Sequence, residues 1–168
     1  MRAIRAVAGS ELLWIQGRGL AFELRVGDEV VGSLRWERSS LATGETAEQR
    51  WTFKREGFWH ARVTVRVPGS DANLAVFDPS WTRGGSLELE PGRTLRFVAG
   101  NFWRSQWDWV DEASQPLVHF KNHGPGFKLE CKVVVESHAI ALPDMPLLVV
   151  LGWYLLVLSS LDSQSDGA

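Results

Sequence analysis

Residues 145–158 read Met-Pro-Leu-Leu-Val-Val-Leu-Gly-Trp-Tyr-Leu-Leu-Val-Leu, and no charged side chain interrupts the run. A helix built from this run is apolar on every side, so it cannot lie on the surface of a domain. It must be enclosed by other protein segments or by lipid. We predict a helix over about 145–160, which Asp144 can cap and whose first turn tolerates Pro146, followed by a disordered tail at 161–168.

The length of the run favours enclosure by protein. A bilayer core needs roughly 20 apolar helical residues, whereas 14 residues at about 1.5 Å each span only about 21 Å. Extending the run back to Ala139 brings in two prolines and Asp144, and no cluster of Lys or Arg flanks it. We therefore favour a helix buried in protein and keep a tail anchor as the alternative.

Most of the chain before residue 137 alternates between apolar and polar residues, which is typical of antiparallel strands with one buried face. Turn-forming Gly, Pro, Asp and Ser residues separate the segments. We expect residues 39–49 to form a mobile polar loop, and residues 2–8 are a candidate for one further strand. The eleven predicted strands lie near 11–16, 20–26, 30–37, 50–55, 58–67, 73–77, 86–90, 94–103, 106–110, 116–121 and 127–136.

These two features complement each other. A closed barrel of more than about eight strands leaves a lumen that its own side chains do not fill, and an apolar helix can occupy that lumen. The sequence therefore predicts one mainly β domain over residues 1–168, a closed antiparallel barrel of about 12 strands around a central C-terminal hydrophobic helix. Gly152 is the predicted point of close approach between that helix and the wall.

Composition narrows the expected function. The net charge of −2 and the lack of a basic tract give no reason to expect nucleic acid as a partner. The single Cys131 fits a reducing compartment, and the N-terminus lacks the apolar stretch of a secretory signal, so we expect a cytoplasmic protein. No nucleotide-binding or hydrolase motif occurs, and we predict no enzymatic activity, catalytic residue, cofactor or metal.

The second half of the chain carries a family resemblance. Leu-Val-His-Phe-Lys at 117–121 precedes a Gly-rich turn, Phe-Lys-Leu-Glu-Cys-Lys-Val-Val-Val follows at 127–135, and the apolar run closes the order. This order of elements resembles the tubby C-terminal-like superfamily, which includes LURP-one-related and phospholipid scramblase proteins. The resemblance implies a twelve-stranded barrel around a C-terminal hydrophobic helix, and binding linked to membranes.

Two departures from that family keep its functional residues from being carried over. Tubby domains bind phosphoinositides through a Lys-x-Arg pair, but this chain has no such triplet, and the adjacent Lys54 and Arg55 point to opposite faces of a strand. Scramblases carry cysteine acylation and calcium-linked membrane roles, whereas Cys131 falls on the predicted inward face. The candidate site must come from the residues themselves.

Basic residues on polar strand faces are the candidate ligand-binding residues. Arginine and lysine donate charge-assisted hydrogen bonds to phosphate, so such a face is suited to anionic headgroups. The structural alternative is pairing with Asp and Glu across strands. The candidates are Arg50, Lys54, Arg62, Arg66, Lys128 and Lys132.

Histidine and acidic residues offer weaker candidates. His119 and His123 would lie about 13 Å apart on a strand, too far to share one metal, and we expect solvent-facing or turn histidines. Asp108, Asp111 and Glu112 are interpreted as a polar strand end rather than a calcium or acid–base site.

Aromatic residues near the end of the predicted barrel allow two interpretations. They belong either to the core or to an aromatic–basic surface for a headgroup or a carbohydrate. The residues concerned are Phe102, Trp103, Arg104, Trp107, Trp109 and Lys121.

The leading hypothesis from sequence is a non-enzymatic binding protein, peripheral to a membrane, that binds anionic phospholipid or a protein partner there. The alternatives are a tail-anchored protein with a cytosolic β domain and a small-molecule-binding barrel. The sequence indicates no oligomeric state.

Overall fold

The computed structural model describes residues 1–80, 84–89, 92–100, 105–122 and 129–166. These residues form twelve strands, two α-helices and a single 3₁₀ turn at Ser137–Ala139. The helices are α1 (Ile4–Val7) and α2 (Met145–Asp166). The strands are β1 (Leu12–Gln16), β2 (Ala21–Val26), β3 (Glu29–Arg38), β4 (Leu41–Thr46), β5 (Arg50–Glu56), β6 (Arg62–Arg66), β7 (Ala75–Pro79), β8 (Gly85–Leu89), β9 (Arg93–Ala99), β10 (Gln106–Val110), β11 (Pro116–Asn122) and β12 (Glu130–Val135).

Each strand pairs antiparallel with its neighbour in sequence, and β1 pairs with β12 to close the barrel. The closing register places Leu12 opposite Val133 and Trp14 opposite Cys131. Closure leaves no strand edge free. The predicted closed antiparallel barrel of about twelve strands is therefore confirmed.

The period-two pattern places one face of each strand inside the barrel. On β5, Trp51 and Phe53 are buried while Arg50 and Lys54 are exposed. Cys131 is fully buried, as its inward position predicted, and burial raises the pKa of its thiol to about 12. The wall is thus apolar inside and charged outside.

Helix α2 runs through the barrel. The segment from Met145 to Leu151 is fully or almost fully buried, and the Trp109 indole N–H donates to the Leu148 carbonyl at 2.8 Å. The Trp153 ring stacks on Trp14 with centroids 6.2 Å apart. The central hydrophobic helix predicted from residues 145–158 is confirmed.

Glycine permits the closest contacts between α2 and the wall. A Cβ at Gly152 would lie 2.3 Å from Phe120 Cζ and 2.9 Å from Trp109 Nε1. On the opposing side, a Cβ at Gly44 of β4 would lie 2.5 Å from Val150 Cγ1. The predicted close approach at Gly152 is therefore present, and β4 supplies a second one.

The end of the barrel at which α2 begins, here called the entry end, is covered by α1. The Arg5 guanidinium donates to the Ile140 and Leu142 carbonyls at 3.0 and 2.9 Å. The Ile4 and Arg5 backbone N–H groups donate to the Glu48 carboxylate. The two hydrogen bonds to Glu48 attach α1 to the turn between β4 and β5.

The opposite end, here called the exit end, is where α2 leaves the barrel. The Tyr154 hydroxyl donates to the Ser40 carbonyl at 2.5 Å. Arg55, near the exit-end terminus of β5 and on its inner face, donates to both carboxylate oxygens of Asp162 at 2.7 and 3.1 Å. Hydrogen bonding to Asp162 raises the pKa of Arg55 against the opposing effect of burial. These contacts fix the helix to the turns at this end.

Three predictions about local structure were wrong. Residues 39–49 contain a strand of the barrel wall, β4. Its inward residues Ala42 and Gly44 are small, so the sequence shows no clear alternation of large apolar and polar residues there. Residues 4–7 form α1 rather than a strand. Helix α2 continues to Asp166, beyond the predicted end at about residue 160, because its last turns stay attached to the exit end through Asp162.

Candidate functional site

The hairpin formed by β5 and β6 brings four of the six candidate basic residues together. Arg50 and Lys54 lie on the outer face of β5, and Arg62 and Arg66 lie on the outer face of β6. The register pairs Lys54 with Thr64 and Arg66 with Thr52, which interleaves the four cations across two neighbouring strands. We call these four residues the basic face.

Carboxylates neutralise only part of the basic face. Arg50 pairs with Glu45 at 3.1 Å, and Glu56 is shared by Lys54 at 3.7 Å and Arg66 at 3.8 Å. Exposed Arg62 has no ion-pair partner among the residues that the structure describes. Because exposed ion pairs at such distances are weak, the cations remain available to an anionic ligand.

Charge is distributed unevenly along the chain. Residues 50–66 contain five Lys or Arg residues and one acidic residue, Glu56, which gives this hairpin +4 in a chain of net charge −2. One of the five, Arg55, is committed to Asp162 at the exit end. The near-neutral total therefore hides a local excess of positive charge on this hairpin.

The other two candidates do not join this surface. Lys132 lies on β12, which β1–β4 separate from β5 in one direction and β7–β11 separate from β6 in the other. It contacts Glu11 at 3.7 Å. Lys128 lies outside the described residues. Lys132 therefore does not lie beside the four residues of the basic face, because its strand is on the far wall of the barrel.

The turn between β5 and β6 carries two residues that sequence reasoning missed. Phe58 and Trp59 are 90% and 93% exposed, although we predicted residues 58–67 to be one strand. In the structure β6 begins only at Arg62. The available signal was the sequence Gly57-Phe58-Trp59-His60, in which a turn-forming glycine precedes two adjacent aromatic residues.

A histidine lies between two carboxylates on the outer wall. The His119 ring nitrogens are 2.7 Å from Asp108 Oδ1 and 2.7 Å from Glu136 Oε1. Burial disfavours the charged imidazolium, but the hydrogen bonds to Glu136 and Asp108 outweigh it and raise the pKa of His119. The hydrogen bond from His119 lowers the pKa of Glu136.

This arrangement corrects the prediction for His119. Its side chain is only 14% exposed and is not solvent-facing, because the strand register brings Asp108 of β10 opposite it. His123 lies outside the described residues. Both ring nitrogens of His119 contact carboxylates, so the group is a structural ion-pair network.

The predicted acidic cluster separates in the structure. Asp108 contacts His119, the Asp111 carboxylate accepts from the backbone N–H groups of Ala113 and Gln115, and Glu112 accepts from the Thr94 N–H. Within the described ranges no group of three or more His, Cys, Asp or Glu residues is arranged to hold a metal ion.

The aromatic candidates belong largely to the core. Trp107 and Trp109 are buried, and Phe97 stacks on Trp107 with centroids 5.3 Å apart. Lys121 is exposed at the end of β11. Phe102, Trp103 and Arg104 lie outside the described residues. The core interpretation therefore holds for Trp107 and Trp109.

The barrel interior is occupied by α2 and aromatic side chains. In the described part of the chain, the indole N–H groups of Trp14 and Trp153 are buried without a hydrogen-bond partner. By length and composition α2 contains one segment, Met145–Gln164, that could span a membrane, but 67% of its most apolar window is buried inside the barrel.

The fold therefore defines an antiparallel β-barrel filled by its own C-terminal helix, with a basic face on one hairpin. A scan of protein-family models found no match to this chain, and searches of curated proteins and of solved structures also found none.

Proposed function

We propose that this chain is a non-enzymatic binding protein that engages anionic phospholipid headgroups through the basic face of β5 and β6. The observation that carries the proposal is the basic face itself, on which four cations meet only two carboxylates, Glu45 and Glu56, in a chain of net charge −2. A Lys or Arg near an anionic membrane surface contributes about 1 kcal/mol to binding. Four cations that meet only two carboxylates on one face are enough for reversible attachment.

Side-chain chemistry supports phosphate as the recognised group. Three of the four residues of the basic face are arginines, which form bidentate hydrogen bonds with phosphate oxygens. Arg62, exposed and lacking an ion-pair partner in the described part of the chain, is the residue best placed to contact a phosphate first. Thr52, on the same outer face, adds a hydroxyl between the cations.

The fold also supports placing the chain beside the tubby C-terminal-like superfamily. The expected features were a twelve-stranded antiparallel barrel and a central C-terminal hydrophobic helix, and both are present. A reduced, buried Cys131 is compatible with action at the cytoplasmic surface of a membrane. Because barrel residues already cover most of the apolar segment of α2, the described part of this helix offers little free apolar surface to a membrane as a tail anchor.

Vesicle flotation tests the proposal. The parent chain should float with vesicles that contain anionic lipid and not with phosphatidylcholine alone, and high salt should weaken the attachment. Lys54→Glu/Arg62→Glu should weaken flotation by about tenfold or more, because it replaces two cations with carboxylates. Lys132→Glu, on the far wall, is the matched control and should float like the parent. Equal behaviour with neutral and anionic vesicles at low salt would refute headgroup binding.

A further inference from the structure

The β5–β6 turn exposes an apolar surface that the rest of the fold does not use. Within the described ranges, the large apolar residues classed as exposed are Met1, Phe58, Trp59 and Leu74, at 61%, 90%, 93% and 40%. Phe58 and Trp59 are adjacent and nearly fully solvent-accessible. By contrast, Trp14, Trp109 and Trp153 are at most 1% exposed.

The turn holds these two rings in a defined arrangement. Gly57 has φ +107°, and a Cβ there would lie 2.6 Å from the His60 carbonyl oxygen, so this tight turn requires glycine. The Phe58 and Trp59 rings meet edge to face, with centroids 5.1 Å apart. The pair is therefore presented as a unit at the tip of the hairpin.

The surroundings of the tip are suited to a lipid interface. Lys54 and Arg62 lie on the strands that lead to and from the turn, and both are exposed. Tryptophan prefers the boundary between headgroups and acyl chains, and apolar residues beside cations favour anionic interfaces. Two side chains on a projecting turn supply far less than the roughly 800 Å² per partner of a stable protein interface.

We propose that Phe58 and Trp59 form an interfacial anchor that inserts into the headgroup–acyl boundary of an anionic bilayer while Lys54 and Arg62, the residues of the basic face nearest the turn, contact phosphates. This inference rests on the proposed function, and it adds an orientation. The exit end of the barrel faces the membrane, and the entry end, with α1, faces away from it.

Flotation with two variants separates the anchor from the charges. Phe58→Ala/Trp59→Ala should reduce the affinity for vesicles of phosphatidylcholine and phosphatidylglycerol by about tenfold or more, because two apolar side chains no longer enter the bilayer. Leu74→Ala, in the β6–β7 turn at the entry end, is the matched control and should float like the parent. The loss should persist at high salt, where the contribution of the basic face is screened.

Lipid quenching tests insertion directly. Vesicles with brominated acyl chains should quench part of the tryptophan emission of the parent. Trp59→Phe should retain binding within about threefold, since an aromatic ring remains, and should show clearly less quenching than the parent. Trp14, Trp51, Trp107, Trp109 and Trp153 should not contribute, because they are buried inside the barrel.

The outcomes distinguish this inference from the headgroup proposal. If the parent floats without quenching, and Phe58→Ala/Trp59→Ala floats with the same affinity, the anchor proposal is overturned. Headgroup binding by the basic face then remains supported. Failure of the parent to float with any vesicle overturns both. If the Ala variant floats normally but loses a dimer seen for the parent by sedimentation, the tip contacts a second copy of the chain and the anchor is overturned.

Discussion

Aromatic rings serve opposite purposes inside the barrel and at the β5–β6 turn. Inside, Phe120 and Trp109 approach Gly152 so closely that a single added carbon has no space. At the turn, Phe58 and Trp59 contact each other and are otherwise open to solvent. The comparison separates the residues that hold the fold together from those available to a partner. Changes inside should affect stability, and changes at the turn should affect binding.

The largest effect is expected for Gly152→Leu. The added side chain must displace Phe120 or the Trp109 indole that bonds to Leu148, so the core is overpacked. We expect a loss of about 1–3 kcal/mol or more in the free energy of unfolding, measured by urea denaturation. A variant as stable as the parent would show that the helix is not enclosed in this way.

A smaller loss is expected for Tyr154→Phe at the exit end. The substitution removes the hydroxyl that donates to the Ser40 carbonyl and leaves the ring stacked on Trp36, at a centroid distance of 4.9 Å. The expected cost is about 1 kcal/mol in the free energy of unfolding. Vesicle affinity should not change. A large loss of binding would mean that the exit-end contacts also position the turn.

The His119 network predicts a modest dependence of stability on pH. Because the folded pKa of His119 is raised above 6.5, its contribution is fully present below the unfolded value and is lost as pH rises through the folded pKa. Glu136, whose folded pKa is lowered, contributes above its unfolded value of 4.5 and loses that contribution as pH falls through the folded pKa.

Denaturation of the parent and of His119→Gln at a series of pH values checks this behaviour. The stability difference between them should shrink as pH rises through the folded pKa of His119, where the parent loses the imidazolium. Lys121 and His138 also favour the ionised Glu136, so His138→Gln should be measured as a control. A difference that does not vary with pH would exclude a charged His119 as its origin.

The smallest effect on stability is expected for Phe58→Ala/Trp59→Ala. The two residues are 90% and 93% exposed, so removal of their rings should change the free energy of unfolding by less than about 0.5 kcal/mol. Their loss should nevertheless reduce vesicle binding. A clearly destabilised variant would indicate that the turn supports the barrel, and the contrast between the two regions would fail.

The sequence predicted the barrel and its helix because both depend on local periodicity. Alternation predicted nearly every strand, and the uninterrupted run at 145–158 predicted the helix. β4 was missed because its inward positions, Ala42, Gly44 and Thr46, are small or polar where α2 lies close. A period-two pattern detects alternation between apolar and polar residues. In β4 the inward positions are instead marked by small size, because α2 packs closely against them.

The candidate site depends on relations that a single sequence does not contain. That Arg50, Lys54, Arg62 and Arg66 share one surface follows from the hairpin pairing and was partly predictable. The separation of Lys132 from them requires the strand order of the closed barrel. Similarly, the contact between His119 and Asp108 depends on the cross-strand register, which no local motif reveals.

The order of elements along the chain has a consequence for biosynthesis. β1 must wait for β12, more than a hundred residues later, before the wall can close, and α2 follows both. The filling of the barrel is therefore synthesised after its wall, and the inner faces of twelve strands stay uncovered until then. We expect chains interrupted before residue 145 to leave these apolar faces exposed, and therefore to be bound by chaperones or degraded.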